Sequence, residues 1–383
     1  MSLPLRILID YRPALRARSG VGEYVHELAR ALVSPGPPPG PARAAGDQVT
    51  LFSSSWKDRI EPEGLDGCQL ADRRVPVRLL NLAWHRLGWP PVDRLVAGPF
   101  DVVHSLHPLL MPARTAARVV TVHDLDFLVH PGRVRAEIRR DYPRLAARHV
   151  ARADHVIVNS RYTAREVEQT FAVDPSRVTV CPPGAPAWAP RDGRVRPTYL
   201  LFLGTLEPRK NVGRLLDAYA IVAARRPDAP ELVLGGRPTA EAADWLARAK
   251  TAPLAGKARF IGYVPPDRRR SLYEGALALL IPSHHEGFGM PALEAMATGV
   301  PVVASNRGAL PEVVGDAGLV VDPDDPADIA AAIDRLLDTD GLARRMTEAG
   351  LARAAMFTWR ATAARARDAY VRAVEARRAR AHG

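Results

Sequence analysis

Leu277-Ala-Leu-Leu-Ile-Pro-Ser-His-His-Glu-Gly-Phe-Gly-Met-Pro-Ala-Leu-Glu-Ala-Met-Ala-Thr-Gly-Val-Pro-Val-Val303 contains one complete unit of a fold. It opens on an unbroken apolar run, Leu277 to Ile281, and closes on another, Val300 to Val303. Between them lie a glycine-rich turn and a helical stretch after Pro291, a residue suited to the first turn of a helix. Apolar runs without polar alternation are strands buried on both faces, which is the signature of a parallel sheet. The stretch therefore predicts strand, loop, helix, strand.

Working outward, the same scheme recurs. Tyr199–Leu203 leads into a helix from about Val212, followed by Glu231–Leu234, Ala258–Ile261 and Gly318–Val321. The first half carries Ile7–Ile9, Val49–Phe52, Val102–Val103, Val119–Val122 and Val156–Val158. Between its first two runs, residues 25, 28, 29, 32 and 33 of Gly22–Val33 are apolar at helical spacing. The chain reads as α/β, with two doubly wound parallel sheets in succession. Pro182-Pro-Gly-Ala-Pro186 and the stretch from Pro190 to Pro197 lack periodicity and are rich in breakers, as a hinge requires. That places one domain at 1–190 and a second at 191–358, with a last helix, about 359–380, available to pack back across the first. A second breaker-rich stretch, Ser34 to Gly46, predicts a surface loop.

Composition narrows the function classes. A chain of 383 residues, 47% hydrophobic and 25% charged, is long enough for two cores. The net charge of +11 is almost wholly arginine, since Lys57, Lys210, Lys250 and Lys257 are the only lysines. That excess is spread across both halves and accompanies no recognition helix, zinc pattern or aromatic–basic interleaving, so a nucleic-acid partner is not predicted. Cys68 and Cys181 fit neither a C-x-x-C pair nor a disulfide framework and are expected to be reduced, buried thiols. Charge appears early in the first ten residues, and no apolar run approaches the ~18 residues of a membrane span. These features predict a cytoplasmic protein.

Four places carry chemistry. Ser19-Gly-Val-Gly-Glu-Tyr24, after the strand ending at Asp10, lets backbone N–H groups at Gly20 and Gly22 approach a phosphate at a helix N-terminus. A tight strand-to-helix turn explains two glycines equally well. His123 and Asp124 stand at the carboxyl end of Val119–Val122, the edge where such sheets bind ligands. A lone histidine is usually structural, but the strand-end position favours a role. Gly204-Thr-Leu-Glu-Pro-Arg-Lys-Asn211 puts Arg209 and Lys210 at the same kind of edge, where a guanidinium fork and an ammonium stabilise a departing diphosphate. In the opening stretch, Glu286 sits on the loop and Glu294 about one helical turn in, with Phe288, Gly289, Met290 and Pro291 between.

This constellation resembles the retaining glycosyltransferases of family 4, the "group 1" transferases, over essentially the whole chain and most densely from Leu201 to Pro323. The resemblance implies the GT-B fold, with the two domains facing across a cleft. It implies that Glu286 contacts donor sugar hydroxyls, Glu294 the nucleotide ribose, and Arg209 and Lys210 the diphosphate, joined by the backbone of Gly22 and of Gly289 to Pro291. His123 would face the donor sugar, and Gly262-Tyr-Val264 would line the base. Many relatives have arginine after the glycine at 204; here Thr205 stands there, a variant often associated with mannosyl transfer.

The expected reaction moves a hexose, mannose first, from a GDP- or UDP-sugar to a glycan or lipid-linked glycan, with no cofactor and no metal. Paired carboxylates otherwise suggest a glycosidase-like double displacement. In this family the leaving diphosphate instead accepts the proton of the incoming hydroxyl on the same face. A hinge between the domains implies closure on donor binding. Alternatives are an epimerase or phosphorylase on the same fold, or a silent nucleotide-sugar-binding protein. Seven arginines from Arg133 to Arg152, four of them (140, 144, 148, 152) at helical spacing, form a stripe that either is simply solvated or meets an anionic membrane.

Overall fold

The computed structural model describes residues 4–15, 18, 20–34, 46–129 and 142–382. Its contacts divide the chain into two compact units, Met1–Gly184 with Thr358–Gly383, and Ala185–Phe357.

The first unit is built on seven strands: β1 (Arg6–Asp10), β2 (Gln48–Ser54), β3 (Cys68–Arg73), β4 (Val102–Ser105), β5 (Ala117–Val122), β6 (His155–Val158) and β7 (Val178–Val180). All pair in parallel, in the order β3-β2-β1-β4-β5-β6-β7. Successive side chains of a strand point to opposite faces. Ile7 and Ile9 accordingly enter one apolar cluster and Leu8 another. Helix Val21–Val33 covers the first face with Tyr24, Val25, Leu28, Ala29 and Leu32.

The long last helix, Trp359–His382, belongs to this unit. It places Ala363, Ala366, Ala369, Tyr370 and Ala373 in the same core as Ile7 and Ile9. Small residues let its backbone come close, and a Cβ at Gly184 would lie 2.2 Å from the Trp359 nitrogen. Two polar contacts fix its register. Arg367 Nε pairs with buried Asp47 at 2.6 Å, and the Tyr370 hydroxyl meets His104 Nδ1 at 2.8 Å.

The second unit has six strands: β8 (Tyr199–Leu203), β9 (Glu231–Gly235), β10 (Ala258–Gly262), β11 (Ala276–Ile281), β12 (Val302–Ser305) and β13 (Leu319–Val321). They too are all parallel, ordered β10-β9-β8-β11-β12-β13. Leu200, Phe202, Leu232 and Leu234 fill one face; Leu201, Val233, Leu279 and Ile281 fill the other.

In each sheet the chain winds outward from the first strand, then returns to start its fourth strand on the other side. Crevices at such reversals, outside the carboxyl ends of the strands, are where doubly wound sheets bind ligands. The two reversals lie between β1 and β4 and between β8 and β11. Of the breaker-rich stretch Ser34 to Gly46, residues 35–45 fall outside the described residues, as do Ser19 and, in the arginine-rich stretch, residues 130–141. No helix among the described residues is long and apolar enough to cross a membrane. Cys68 and Cys181 are free, Cys181 buried and Cys68 half-buried, not fully enclosed as the sequence suggested.

Candidate active site

At the reversal of the second sheet, the loops after β8 and β11 meet. His284 N–H donates to the Arg209 carbonyl at 2.8 Å, tying one loop to the other. Asn211, at φ 59°, turns the chain from the loop into helix Val212–Arg225 and anchors its side chain on the Pro323 carbonyl at 2.6 Å. Across from it, Gly308 (φ 64°) passes so close to Glu286 that a Cβ would sit 2.8 Å from its backbone nitrogen and oxygen. These constraints bring three of the anticipated residues together. Lys210 Nζ lies 2.5 Å from Glu286 Oε1, Arg209 Nη1 lies 3.4 Å from Glu286 Oε2, and Ser283 Oγ donates to Oε1 at 2.8 Å. Arg209 also pairs with Glu207 at 2.6 Å.

Glu286 and Lys210 are both buried. Burial opposes ionisation of the carboxyl, but the Lys210 ammonium, the Arg209 guanidinium and two hydrogen bonds outweigh it, and Glu286 is held below its usual value. The crevice therefore contains a fixed carboxylate flanked by two cations.

Glu294 lies elsewhere in the same environment. Helix Met290–Thr298 starts one residue before Pro291, with Gly289 as N-cap at φ 103°, so Glu294 opens its second turn. Its carboxylate is buried, receiving Arg269 Nη1 at 2.7 Å and the Tyr273 hydroxyl at 2.8 Å. Burial raises its pKa, and these two partners only partly counter the rise. The Phe288 ring packs against Phe357 at 5.7 Å in the core. Val264 lies beyond β10 near Gly235, beside exposed Tyr263, whose ring carries the Arg237 guanidinium at 4.4 Å.

At the reversal of the first sheet, Gly20 caps helix Val21–Val33 at φ 55° and Gly22 is buried in its first turn. His123 follows β5, edge-on to Tyr24 at 5.1 Å. Its Nε2 lies 3.2 Å from the Leu106 carbonyl, which only accepts, so Nε2 carries the proton. Burial lowers its pKa to about 4, against the pull of that carbonyl. The ring is neutral at pH 7 and presents Nδ1 as an acceptor.

The two halves match two family models. "Glycosyltransferase Family 4" covers residues 18–187 and "Glycosyl transferases group 1" covers 190–353. The O-antigen chain mannosyltransferase B of Escherichia coli is 32% identical, over 93% of this chain and 96% of its own. The chain is a group 1, family 4 glycosyltransferase. A D-inositol 3-phosphate glycosyltransferase of Nocardioides is 30% identical, over 94% and 87%. Among solved structures, the transferase's fold matches sucrose-phosphate synthase from Thermosynechococcus elongatus (TM-score 0.69, 21% identity, 96% and 98% covered). It also matches HepE of Anabaena in complex with UDP and glucose (TM-score 0.65, 16% identity, 93% and 96% covered).

The transferase also has candidate site residues that reading the sequence did not single out. Asp10, at the end of β1, is fully buried and paired with Arg12 at 2.7 Å and with His107 Nε2 at 3.2 Å, all at the reversal of the first sheet. Burial works against its charge, but Arg12 and His107 hold it well below the usual carboxylate range. His107 was detectable in principle, two residues past the strand ending at Ser105. Arg269 and Tyr273 gave no such signal, because their link to Glu294 spans more than twenty residues.

Burial also depresses His26, His85, His149 and His155 to about 4 and His104 to about 3. With His123, all lie in the first unit. Between pH ~6.5 and ~4 the unfolded chain binds these protons and the folded unit does not, so stability rises with pH across that window. At pH 5 each fully buried ring costs on the order of 1–2 kcal/mol relative to neutral pH. Calorimetry should therefore show the first unit melting before the second at pH 5, with the transitions closer at pH 7.5. A first transition unmoved between those values would contradict these protonation states.

Proposed function

We propose that the transferase moves a hexose, mannose first, from a GDP- or UDP-sugar to a glycan or lipid-linked glycan, retaining the anomeric configuration and needing no metal. The observation that carries this reading is the Lys210–Glu286–Arg209 cluster at the reversal of the second sheet. A diphosphate with about two negative charges needs fixed cations that gain strength as charge develops on the leaving oxygen. Lys210 and Arg209 supply them, and Glu286 accepts hydrogen bonds from donor sugar hydroxyls.

In this reading the backbone N–H groups of Gly22, Gly289 and Met290 add neutral donors at helix N-termini, and the Pro291 backbone, which has no N–H, borders the same turn. Glu294 meets the ribose, and Val264 borders the base. Neutral His123 accepts a sugar hydroxyl at Nδ1, which orients the ring without adding a proton to the leaving group. The bond from C1 to the diphosphate breaks ahead of attack, and the diphosphate oxygen takes the proton of the incoming hydroxyl on the same face. Mannose is favoured by the similarity to a mannosyltransferase, and UDP is kept beside GDP because HepE was solved with UDP.

The test uses donors alone. Purified protein in chelator is given GDP-mannose, GDP-fucose, UDP-glucose or UDP-galactose, and slow transfer to water is followed by proton NMR before the sugar mutarotates. GDP release with α-mannose appearing first is the expected result. First appearance of the β-anomer, or turnover only when metal is added back, would contradict the corresponding part of the proposal.

A further inference from the structure

Away from the crevices, helix Val77–Leu87 turns the wrong residues outward. Leu80 and Trp84 are buried, as an amphipathic helix requires. Yet Leu79 is 63% exposed, Leu82 56% and Leu87 76%, and Trp89, just past the helix, is 56% exposed. Leu79, Leu82 and Arg86 follow one another at i, i+3 and i+7, so they share one outward stripe. Single exposed leucines are ordinary; three with a tryptophan on eleven consecutive residues form a patch.

The end of that helix borders a cavity of about 260 Å³ lined by Arg86, Leu87, Arg118, Arg148, His149 and Arg152 among others. Among the described residues no carboxylate lines it. Arg118 is offset by Asp154 at 3.4 Å behind it, and Arg148 donates to the His85 carbonyl at 3.0 Å. His149 Nδ1 accepts from Leu110 N–H at 2.8 Å. Arg144, Arg148 and Arg152 are all exposed, at i, i+4 and i+8 of helix Tyr142–Arg152, so the described part of the arginine-rich stretch does form a stripe. It runs to the mouth of the cavity.

At its inner end the cavity adjoins the crevice of the same unit, since its lining residue Trp84 lies under the Arg12 guanidinium at 4.8 Å; its arginines lie farther off. Arg118 is the second residue of β5, and Arg152 precedes the first residue of β6 by three positions, so these arginines lie at the edge where strands begin. Asp10 and His123 stand at the edge where strands end.

We propose that this face docks the transferase on an anionic phospholipid bilayer, with Leu79, Leu82, Leu87 and Trp89 entering the interface and the arginine-lined cavity taking a lipid phosphate. The chemistry of the patch selects that occupant. A free phosphate ion satisfies the arginines and leaves the leucines in water. A second copy meeting the same face would set arginine stripe against arginine stripe. A bilayer with anionic headgroups supplies an apolar layer for the leucines, an interfacial zone for tryptophan and phosphates for guanidinium forks. The docking surface goes beyond the donor chemistry and does not depend on it.

The test is co-sedimentation of the full chain with phosphatidylcholine vesicles, with or without about 30% phosphatidylglycerol, near 0.1 M salt where charges within about 10 Å still attract. The wild-type protein should sediment with the anionic vesicles only. Leu79→Ser/Leu82→Ser/Leu87→Ser and Arg148→Ala/Arg152→Ala should each weaken partition about tenfold or more. Because a variant that misfolds would also fail to bind, the wild-type protein is read separately by tryptophan emission. Anionic vesicles should shift it to the blue, and Trp89→Phe should remove most of that shift. Three results would overturn the proposal: no sedimentation of the wild-type chain, sedimentation of the leucine variant at the wild-type level, or a wild-type dimer that the leucine variant converts to monomer.

Discussion

Glu286→Gln is expected to lower sugar transfer by about 10³-fold or more while tightening the binding of a nucleoside diphosphate. Without a donor, Lys210 and Arg209 are neutralised by Glu286 at 2.5 and 3.4 Å. Removing that charge leaves buried Lys210 without its counter-ion, while Arg209 keeps Glu207 at 2.6 Å; deleting one partner of a buried pair costs about 3–5 kcal/mol. A diphosphate brings the missing negative charge. The variant should thus melt earlier than the wild type when empty and recover most of the difference when the matching diphosphate is added. Transfer is lost because the amide no longer offers two charged acceptors to the donor sugar. Thermal shift with and without nucleotide, beside an assay of transfer, checks both halves. A variant that transfers normally, or that binds the diphosphate more weakly, would refute the assignment of Glu286.

Arg269→Met is expected to destabilise the second unit by about 3–5 kcal/mol at pH 8, far more than an exposed arginine would. Its guanidinium reaches Glu294 at 2.7 Å, and the pair is almost completely enclosed. Burial already raises the Glu294 pKa, and losing the cation raises it further. A carboxyl whose folded pKa lies above its unfolded value binds more protons folded than unfolded, so its contribution weakens as pH rises through that interval. The defect should therefore shrink on acidification, opposite in sign to the histidine effect in the first unit. Chemical unfolding followed through Trp188 and Trp245 at pH 8 and pH 5.5 measures it, and Arg269→Lys should restore part of the loss. Wild-type stability of Arg269→Met at pH 8 would show that the pair contributes nothing there.

Much of this was legible before any coordinates. Strands such as Tyr199–Leu203 lie buried on both faces and therefore read as unbroken apolar runs. Cys68–Arg73 did not, because at the sheet edge it exposes Gln69 and Leu70 and mixes polar with apolar residues. Val300–Val303 was read as a strand, whereas β12 spans Val302–Ser305: Pro301 has no N–H to give a ladder, so pairing begins after it. The chain's return to the first unit at Thr358 rests on the approach of Gly184 to Trp359, a contact across more than 170 residues that no local pattern encodes. The same reason hid the partners of Glu294. The loop residues Arg209, Lys210 and Glu286 were readable because each lies in the loop that follows a strand, and strand ends converge by topology. That Glu286 would neutralise both cations needed side-chain geometry.

The most direct test of the donor site is equilibrium binding of GDP, UDP, ADP and TDP to the metal-free protein, beside Lys210→Ala and Glu294→Ala. One nucleotide should bind clearly more tightly than the rest, and both substitutions should weaken it by about tenfold or more, since each removes a charge-assisted contact. Failure of all four to bind, or equal binding by the two variants, would contradict a nucleotide-sugar site at the reversal of the second sheet.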